Sequence, residues 1–547
     1  MTFRDICQKI PQTFKQLSTE RFSTILGGTS ERAYSRAQTS LLALTVLSIV
    51  AQWAVAPVPL VASPPDVMGF IDAGYRVTSG QVPHNDFSSQ LGPVFSYVYA
   101  IGVSLFGPTI PAVVSSNLLV MTLTTSLAWL LSRKRLNPLL ALIFSATVMT
   151  TTSGVVPLGW GAHETDYAMS YNRHAFGILM CICVVSFFQK QGSSSMIVER
   201  VENLIIGALV SLLLLLKLNF FVIGVCALLI GQFFAGLNFK KSAWIFSGFL
   251  IPIVFFWFVL GVKPGAFFDD MLLLYNVVKE TRPSLFGPVW KLISQLTVPI
   301  SMVLFTIVAT GWLCLTSQKG DTNSLVRAFI SAVFLLAADL VLGVSNTQLP
   351  ILVFPPFIAL IALRELLLVD NYRSIYLSAL IIFTFSFSIL TIVRETSYIV
   401  CALSSELSAD PNDVEAQRFD SPLLKNVYVP SGLNVWSDYP QRLNDGLKLL
   451  RKHVTPSTKL VTLNIVNPFN FALGLKPTTG TQLYWWPGAS YTEKNHLHAE
   501  QVFSNADMVI IDKYNFVVLT SYKSYLNKQF KLLEQTPYWF LLRRDNH

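Results

Sequence analysis

Repeated apolar segments near the length of a bilayer crossing constrain this chain more than any other feature. A helix needs about 20 apolar residues to cross the hydrocarbon core of a membrane. Only 13% of the 547 residues are charged, about half the share found in soluble proteins. The sequence therefore predicts a polytopic α-helical membrane protein with about 11–12 transmembrane helices. The predicted spans are 40–61, 111–132, 138–157, 174–189, 203–218, 219–237, 242–262, 292–316, 327–345, 350–368 and 373–393.

The segment 91–106 decides the topology, because it is short and begins with a Gly-Pro pair. If it does not cross and the N-terminus is cytoplasmic, the basic clusters at 133–135 and 240–241 fall on one face, as the positive-inside rule requires. We therefore interpret 91–106 as a juxtamembrane or re-entrant helix. The segments expected on the opposite, non-cytoplasmic face are 62–110, 158–173, 263–291 and 394–547.

Charge and composition also predict the domain organisation. The net charge of +9 comes largely from short loops beside the spans, which indicates topology and gives no reason to expect a nucleic-acid partner. The six cysteines form neither a disulfide framework nor a CxxC metal spacing. We expect a cytoplasmic N-terminal segment, 1–39, and a transmembrane domain, 40–393, with its first external loop at 62–110.

Residues 394–547 differ in character from the rest of the chain. Polar, turn-forming residues come first, and short apolar runs then alternate with helix-like stretches. This pattern predicts a soluble α/β domain of ordinary size. Its expected elements are strands at 459–465 and 506–512, an amphipathic helix at 521–535 and a closing strand at 538–544.

The first external loop carries acidic residues at the mouth of the first span. Asp66 follows Ser63-Pro64-Pro65, a helix-start sequence. The apolar residues after it share a helical face, which predicts a short helix on the membrane surface that ends at Gly80. Asp86 follows in the sequence. One interpretation makes Asp66 a helix cap and Asp86 a turn residue; the other places both in a functional site.

The order of residues in this loop resembles a known family. The pattern Asp66-x-x-Gly69, Tyr75-Arg76, Gly80-x-Val82-Pro83-x-x-Asp86-Phe87 and Gly92-Pro93 is similar to the first external loop of GT-C fold glycosyltransferases. Within that fold it resembles bacterial relatives of the protein O-mannosyltransferases and the lipid A aminoarabinose transferase. The resemblance covers the order of elements over roughly residues 40–240.

This resemblance implies a fold and an activity. It implies a GT-C transmembrane domain that moves a sugar, with inversion, from a polyprenyl-phosphate donor to a lipid, glycan or protein acceptor. It matches Asp66 to the catalytic acid and Asp86 to the second acidic position. An acceptor hydroxyl must lose a proton as it attacks the anomeric carbon, and an aspartate can take that proton. We expect a bacterial inner-membrane enzyme whose active site and C-terminal domain face the periplasm or exterior.

The loop 158–173 supplies a second group of candidates. The resemblance implies a positioning role for Glu164 or Asp166, and the residues leave the choice open. Arg173 suits a phosphate, because its planar guanidinium matches phosphate oxygens. A divalent cation such as Mg²⁺ or Mn²⁺ is one interpretation of the polar side chains in this tract, and an ordinary polar loop is the other. The candidate ligands are His163, Glu164, Asp166 and His174.

Lys217 lies between two apolar runs, in the sequence LLLLLKLNFF. A lysine buried at mid-membrane is costly, so we expect it near an interface. Either it extends its ammonium toward water at a tight helix–helix turn, or it holds the donor phosphate.

Three other functions remain open at the level of sequence. A transporter or lipid flippase is one, although such folds usually show internal repeats, and none is evident here. A ligase or polymerase of cell-envelope oligosaccharides is the second, and a catalytically inactive scaffold is the third.

Overall fold

The structure is a computed structural model, and it describes most but not all of the chain. The described ranges are 30–54, 63–156, 166–191, 195–236, 238–282, 322–345, 353–367, 418–424, 436–514 and 519–545, with isolated residues between them. The predicted spans 292–316 and 373–393 lie largely outside these residues, as do residues 1–29 of the predicted segment 1–39. Residues 31–39 of that segment form the start of the first described helix, which therefore begins before the predicted span 40–61.

Helices form most of the described N-terminal part. They are α1 (Glu31–Ala54), α2 (Pro64–Thr78), α3 (Pro93–Phe106), α4 (Ile110–Ser132), α5 (Pro138–Ser153), α6 (Ser170–Phe187), α7 (Met196–Leu214), α8 (Leu218–Ala235), α9 (Phe239–Val254, continued by a π-helical turn at Phe255–Val259), α10 (Pro264–Thr281), α11 (Thr322–Ser345) and α12 (Pro355–Leu367). Five helices among the described residues are long and apolar enough to cross a membrane: α1, α4, α8, α9 and α11. The chain is thus an integral membrane protein with a polytopic helical fold.

Helix α3 covers the ambiguous segment 91–106. It has 14 residues, which at 1.5 Å each span about 21 Å, less than the roughly 30 Å hydrocarbon core. Its start is fixed by backbone bonds: the Gly92 and Val94 amides donate to the Leu216 and Leu215 carbonyls. A Cβ at Gly92 would lie 2.0 Å from the Leu215 carbonyl oxygen. The Gly-Pro pair therefore allows α3 to begin directly against the turn between α7 and α8.

Helix α2 is buried on nearly all sides, which corrects the expectation of a helix on the membrane surface. Both its apolar residues and the Asp72–Arg76 ion pair are covered. Arg76 also donates to the Thr481 hydroxyl and the Tyr75 hydroxyl donates to the Leu475 carbonyl, so the C-terminal region covers the outer side of the helix. The sequence pattern predicted the apolar face of α2, but it could not show that a distant segment of the chain covers the opposite face.

The C-terminal region contains a four-stranded sheet and a pairing with the first loop. Strands β2 (Leu460–Leu463), β4 (Met508–Asp512), β6 (Trp539–Arg544) and β5 (Phe530–Gln535) lie in that order. β2 and β4 are parallel, and β6 is antiparallel to both of its neighbours. Strand β1 (Phe87–Ser88) of the first loop pairs in parallel with β3 (Thr481–Gln482). Short helices complete the region: α13 (Tyr439–Arg451), α14 (Phe469–Ala472), α15 (Ala499–Phe503) and α16 (Thr520–Gln529).

The prediction of an α/β region agrees with this sheet, but one predicted helix is wrong in its second half. The helix predicted at 521–535 ends at Gln529, and residues 530–535 form β5. These residues pair with β6 across a turn at Thr536-Pro537. Pairing with a distant strand outweighs the local helical preference of this segment.

Asp339 lies inside α11 and has a structural role. Its two carboxylate oxygens accept hydrogen bonds from the Val353 and Phe354 amides, at 3.0 and 2.9 Å. These amides lie just before α12, where backbone donors lack partners within the helix. Asp339 thus joins α11 to the start of α12 across an apolar environment.

Candidate active site

Asp66 lies at the start of α2 with a partly exposed side chain. Its carboxylate accepts no hydrogen bond from the described residues, so it does not cap the helix. Burial and the nearby Asp166 carboxylate raise the pKa of Asp66 to about 7. A carboxylate with this pKa changes protonation near neutral pH, as a general base requires.

Asp166 is fully buried beside Asp66. Its Oδ2 accepts from the Ser63 amide at 2.5 Å, and its Oδ1 accepts from the Ala168 amide at 3.0 Å. Burial raises its pKa to about 7 despite these bonds. The structure thus brings one acid of the first loop and one acid of the second loop together. Asp166 also fixes the segment that leads into Asp66, since Ser63 lies just before α2.

Three tyrosines surround Asp66. Tyr99, Tyr171 and Tyr484 each interact electrostatically with its carboxylate. The Tyr484 hydroxyl lies 3.4 Å from the Asp66 carbonyl oxygen, and a Cβ at Gly69 would meet that hydroxyl at 2.5 Å. Glycine at position 69 therefore lets Tyr484 of the C-terminal region close over α2.

Two cations, Lys217 and Arg282, lie near each other, and one of them contacts Tyr171. The Lys217 ammonium is 4.8 Å from the centre of the Tyr171 ring and donates to Asn172 Oδ1 at 2.7 Å. Burial, and then the nearby Arg282 guanidinium, lower the pKa of Lys217 to about 7. Two like charges that repel each other in a partly buried place are stabilised by a bound anion.

Arg282 follows the last residue of α10, and sequence reasoning placed it only in a general loop. Its Nη1 lies 3.4 Å from the Ser345 carbonyl oxygen, and the Asn219 amide donates to the Ser345 hydroxyl at 2.8 Å. The ends of α10 and α11 therefore meet the start of α8 beside Lys217. The sequence did not indicate that Arg282 lies near Lys217, because the two residues are far apart in the chain.

Arg173 and Asp86 occupy structural positions. The Arg173 guanidinium is buried and donates from Nε and Nη2 to the Val156 carbonyl and from Nη1 to the Thr151 carbonyl at 3.0 Å. It therefore caps the end of α5, and a phosphate would have to displace these carbonyls. Asp86 accepts from the Val82 amide at 2.7 Å within its own turn. The structure does not place either side chain beside Asp66, and their functional roles stay predictions.

The metal prediction lies partly outside the described structure. His163 and Glu164 fall in the undescribed segment 157–165. Within the described ranges, no three His, Cys, Asp or Glu side chains form a group that could hold a metal ion. Asp166 uses both oxygens on backbone amides, and His174 is buried in α6. A divalent cation stays a prediction that depends on His163 and Glu164.

Two solved structures are similar to this chain over most of its length. They are the crystal structures of ArnT from Cupriavidus metallidurans in the apo state and bound to undecaprenyl phosphate. Each covers 92% of this chain and 98% of the solved chain at 12% sequence identity, with TM-scores of 0.44 and 0.43. No protein-family model and no curated protein matches the sequence. The similarity is distant, and it transfers neither a residue role nor a substrate to this chain.

Proposed function

We propose that this chain is a GT-C-type membrane glycosyltransferase. It moves one sugar from a polyprenyl-phosphate-linked donor to a lipid, glycan or protein acceptor on the extracytoplasmic face of a bacterial inner membrane. The observation that carries the proposal is that Tyr171 lies between a base-like carboxylate and a cation: it interacts electrostatically with Asp66, and its ring contacts Lys217. A second cation, Arg282, lies near Lys217. The first-loop resemblance supports the same function.

The proposed reaction is a single displacement. The acceptor hydroxyl oxygen attacks the anomeric carbon, the bond from that carbon to the phosphate oxygen breaks, and the hydroxyl proton passes to Asp66. Polyprenyl phosphate leaves with the bonding electrons, so negative charge grows on the phosphate. Lys217 and Arg282 stabilise that charge, which is the electrostatic contribution expected where charge develops in a transition state.

Asp166 and Tyr171 position these groups. The Asp166 carboxylate helps to keep the pKa of Asp66 near 7, so that Asp66 can both accept and release a proton at neutral pH. The Tyr171 ring supports the Lys217 ammonium at 4.8 Å, an arrangement in which a ring face attracts a cation. A single displacement inverts the configuration at the anomeric carbon.

Purified protein in lipid nanodiscs tests this function directly. The substrates are a polyprenyl-phospho-sugar and a total cell-envelope lipid extract, and the readout is released polyprenyl phosphate by mass spectrometry. Asp66→Asn keeps the shape of the side chain but removes the base, so we expect turnover to fall by about 10²–10⁴-fold. Asp269→Asn is the matched control, because Asp269 is an exposed acid on α10.

The outcomes separate the enzyme from its alternatives. Unchanged turnover in Asp66→Asn removes Asp66 as the base. Movement of the intact donor across the bilayer without its consumption indicates a transporter or flippase. Comparing lipid-linked sugars in cells with and without the protein identifies the donor, which should accumulate when the protein is absent.

A further inference from the structure

A polar cavity lies among the helices, away from the candidate active site. It has a volume of about 290 Å³ and is formed by the ends of α6 and α8 and by the starts of α7 and α9. Arg135, Arg327, Lys190 and Lys241 contribute to its wall. None of these cations belongs to the site around Asp66.

The two sites lie at opposite ends of the bundle. Helix α6 has Asn172 in its first turn, beside Lys217, and ends at Phe187, next to the cavity. Its 18 residues, at 1.5 Å each, separate the two ends by about 27 Å. This distance is close to the thickness of the hydrocarbon core. The cavity therefore lies near the membrane interface opposite the proposed active site, on the predicted cytoplasmic side.

The cavity wall carries an excess of positive charge. Its four cations face two carboxylates, Glu199 and Glu202, which leaves two positive charges in excess. Glu202 contacts both Arg135 and Lys190, so one carboxylate serves two of the four cations. Charge at a partly covered interface of this kind favours an anionic ligand.

The same cavity has an apolar wall, and exposed apolar side chains lie beside it. Ile206, Leu228 and Ile245 line it, and the exposed aromatic side chains of Phe233 and Phe239 lie at the neighbouring end of α8 and start of α9. A ligand that matches both parts has an anionic head and a hydrocarbon tail.

We propose that this cavity binds the headgroup phosphate of an anionic membrane phospholipid. Basic pockets between transmembrane helices on the cytoplasmic side are suited to such headgroups. The apolar wall and the lipid-facing aromatic residues favour a lipid over a free phosphate compound, because a soluble anion would leave that surface without a partner. The bound lipid links the ends of α6, α7, α8 and α9, two of which continue to the turn that carries Lys217.

Two adjacent lysines provide a matched test. Lys241 lines the cavity, whereas Lys240 is exposed and does not. Wild-type protein, Lys241→Gln and Lys240→Gln are placed in nanodiscs containing phosphatidylglycerol diluted in phosphatidylcholine. The phosphatidylglycerol retained after detergent exchange is counted by native mass spectrometry. Removing one basic contact to the headgroup should weaken retention by on the order of fivefold in Lys241→Gln, and Lys240→Gln should retain the wild-type amount.

A second variant distinguishes a loss of lipid binding from misfolding of the protein. Gln232→Glu introduces a negative charge into the cavity wall without removing a cation, and it should also reduce retention. An equal loss in Lys240→Gln and Lys241→Gln would mean general attraction to a basic surface and would overturn the proposal. Unchanged lipid retention in both Lys241→Gln and Gln232→Glu would also overturn the proposal. Glycerol 3-phosphate is the soluble arm: if it protects the protein from thermal unfolding as well as phosphatidylglycerol does, the site takes a soluble phosphate and the lipid assignment is wrong.

Discussion

Replacing Lys217 by methionine tests the phosphate-binding part of the site. Methionine keeps the length and apolar stem of the side chain, so it can still pack on the Tyr171 ring. Two unit charges about 4 Å apart interact by roughly 4 kcal/mol at an effective dielectric constant of about 20. Because solvation and the remaining cation, Arg282, offset part of this, the net loss should be that of one hydrogen bond to a charged group, about 1.5–3 kcal/mol. The KM for the donor should therefore rise between about tenfold and a hundredfold.

The reaction product gives a sharper measurement than the donor. In the proposed reaction, the donor phosphate is a diester with one negative charge, whereas the released polyprenyl phosphate is a monoester that can carry two. Inhibition by added polyprenyl phosphate should therefore weaken at least as much as donor binding in Lys217→Met. Lys263→Met is the control, since Lys263 is exposed before α10. Donor KM and product inhibition that both stay within twofold of wild type in Lys217→Met would refute the phosphate role of this lysine.

The remaining predictions concern pH and the frame of the site. The value of kcat/KM should rise with pH as Asp66 loses its proton near its pKa of about 7, and it should fall again as Lys217 loses its proton near its pKa of about 7. Lys217→Arg should abolish the decline on the basic side, because a guanidinium stays charged. A decline that persists in this variant contradicts the assignment. Gly92→Ala should lower both the thermal midpoint and the activity, at a cost of about 1–3 kcal/mol in stability, because the added Cβ would meet the Leu215 carbonyl. Gly265→Ala is the control and should leave both unchanged, because nothing lies within 4 Å of a Cβ at that position. Equal effects of the two substitutions would contradict the packing argument. Asp339→Leu should destabilise the protein by about 1–3 kcal/mol for each backbone amide left without a partner, which would be measured as a lower thermal midpoint in nanodiscs. An unchanged midpoint would contradict the conclusion that Asp339 stabilises the start of α12.

Apolar run length predicted the helical elements well, because a membrane helix must satisfy its backbone bonds internally and therefore depends mainly on local sequence. The predicted spans 111–132 and 219–237 match α4 and α8 closely. The strand at 530–535 was missed for the opposite reason, since its pairing with β6 depends on another segment. Local sequence predicts an element reliably only where the backbone hydrogen bonds of that element are made within it.

The candidate site shows the same division. Asp66 was proposed from the loop pattern, because the residue types and order of that pattern are local, and its catalytic role stays a prediction. Arg173 and Lys217 are both cations near apolar segments, and sequence alone could not tell that one faces helix-end carbonyls while the other faces a tyrosine ring. Arg282 comes from a loop more than sixty residues after Lys217. Its contribution appears only when the helices are packed.

The site is assembled from segments that backbone contacts hold in register. The start of α3 bonds to the turn before Lys217, which fixes the cation relative to the first loop. The Ser63 amide bonds to Asp166, which fixes the second acid relative to the first. β1 pairs with β3, and Tyr484, two residues beyond β3, closes over Asp66. Each link uses a main-chain atom on at least one side, and the α3 and β1–β3 links use main-chain atoms on both, whose hydrogen bonding does not depend on side-chain identity. A sequence can therefore reveal the acid in one segment and still conceal the site, because the contacts that assemble the site leave little trace in residue type.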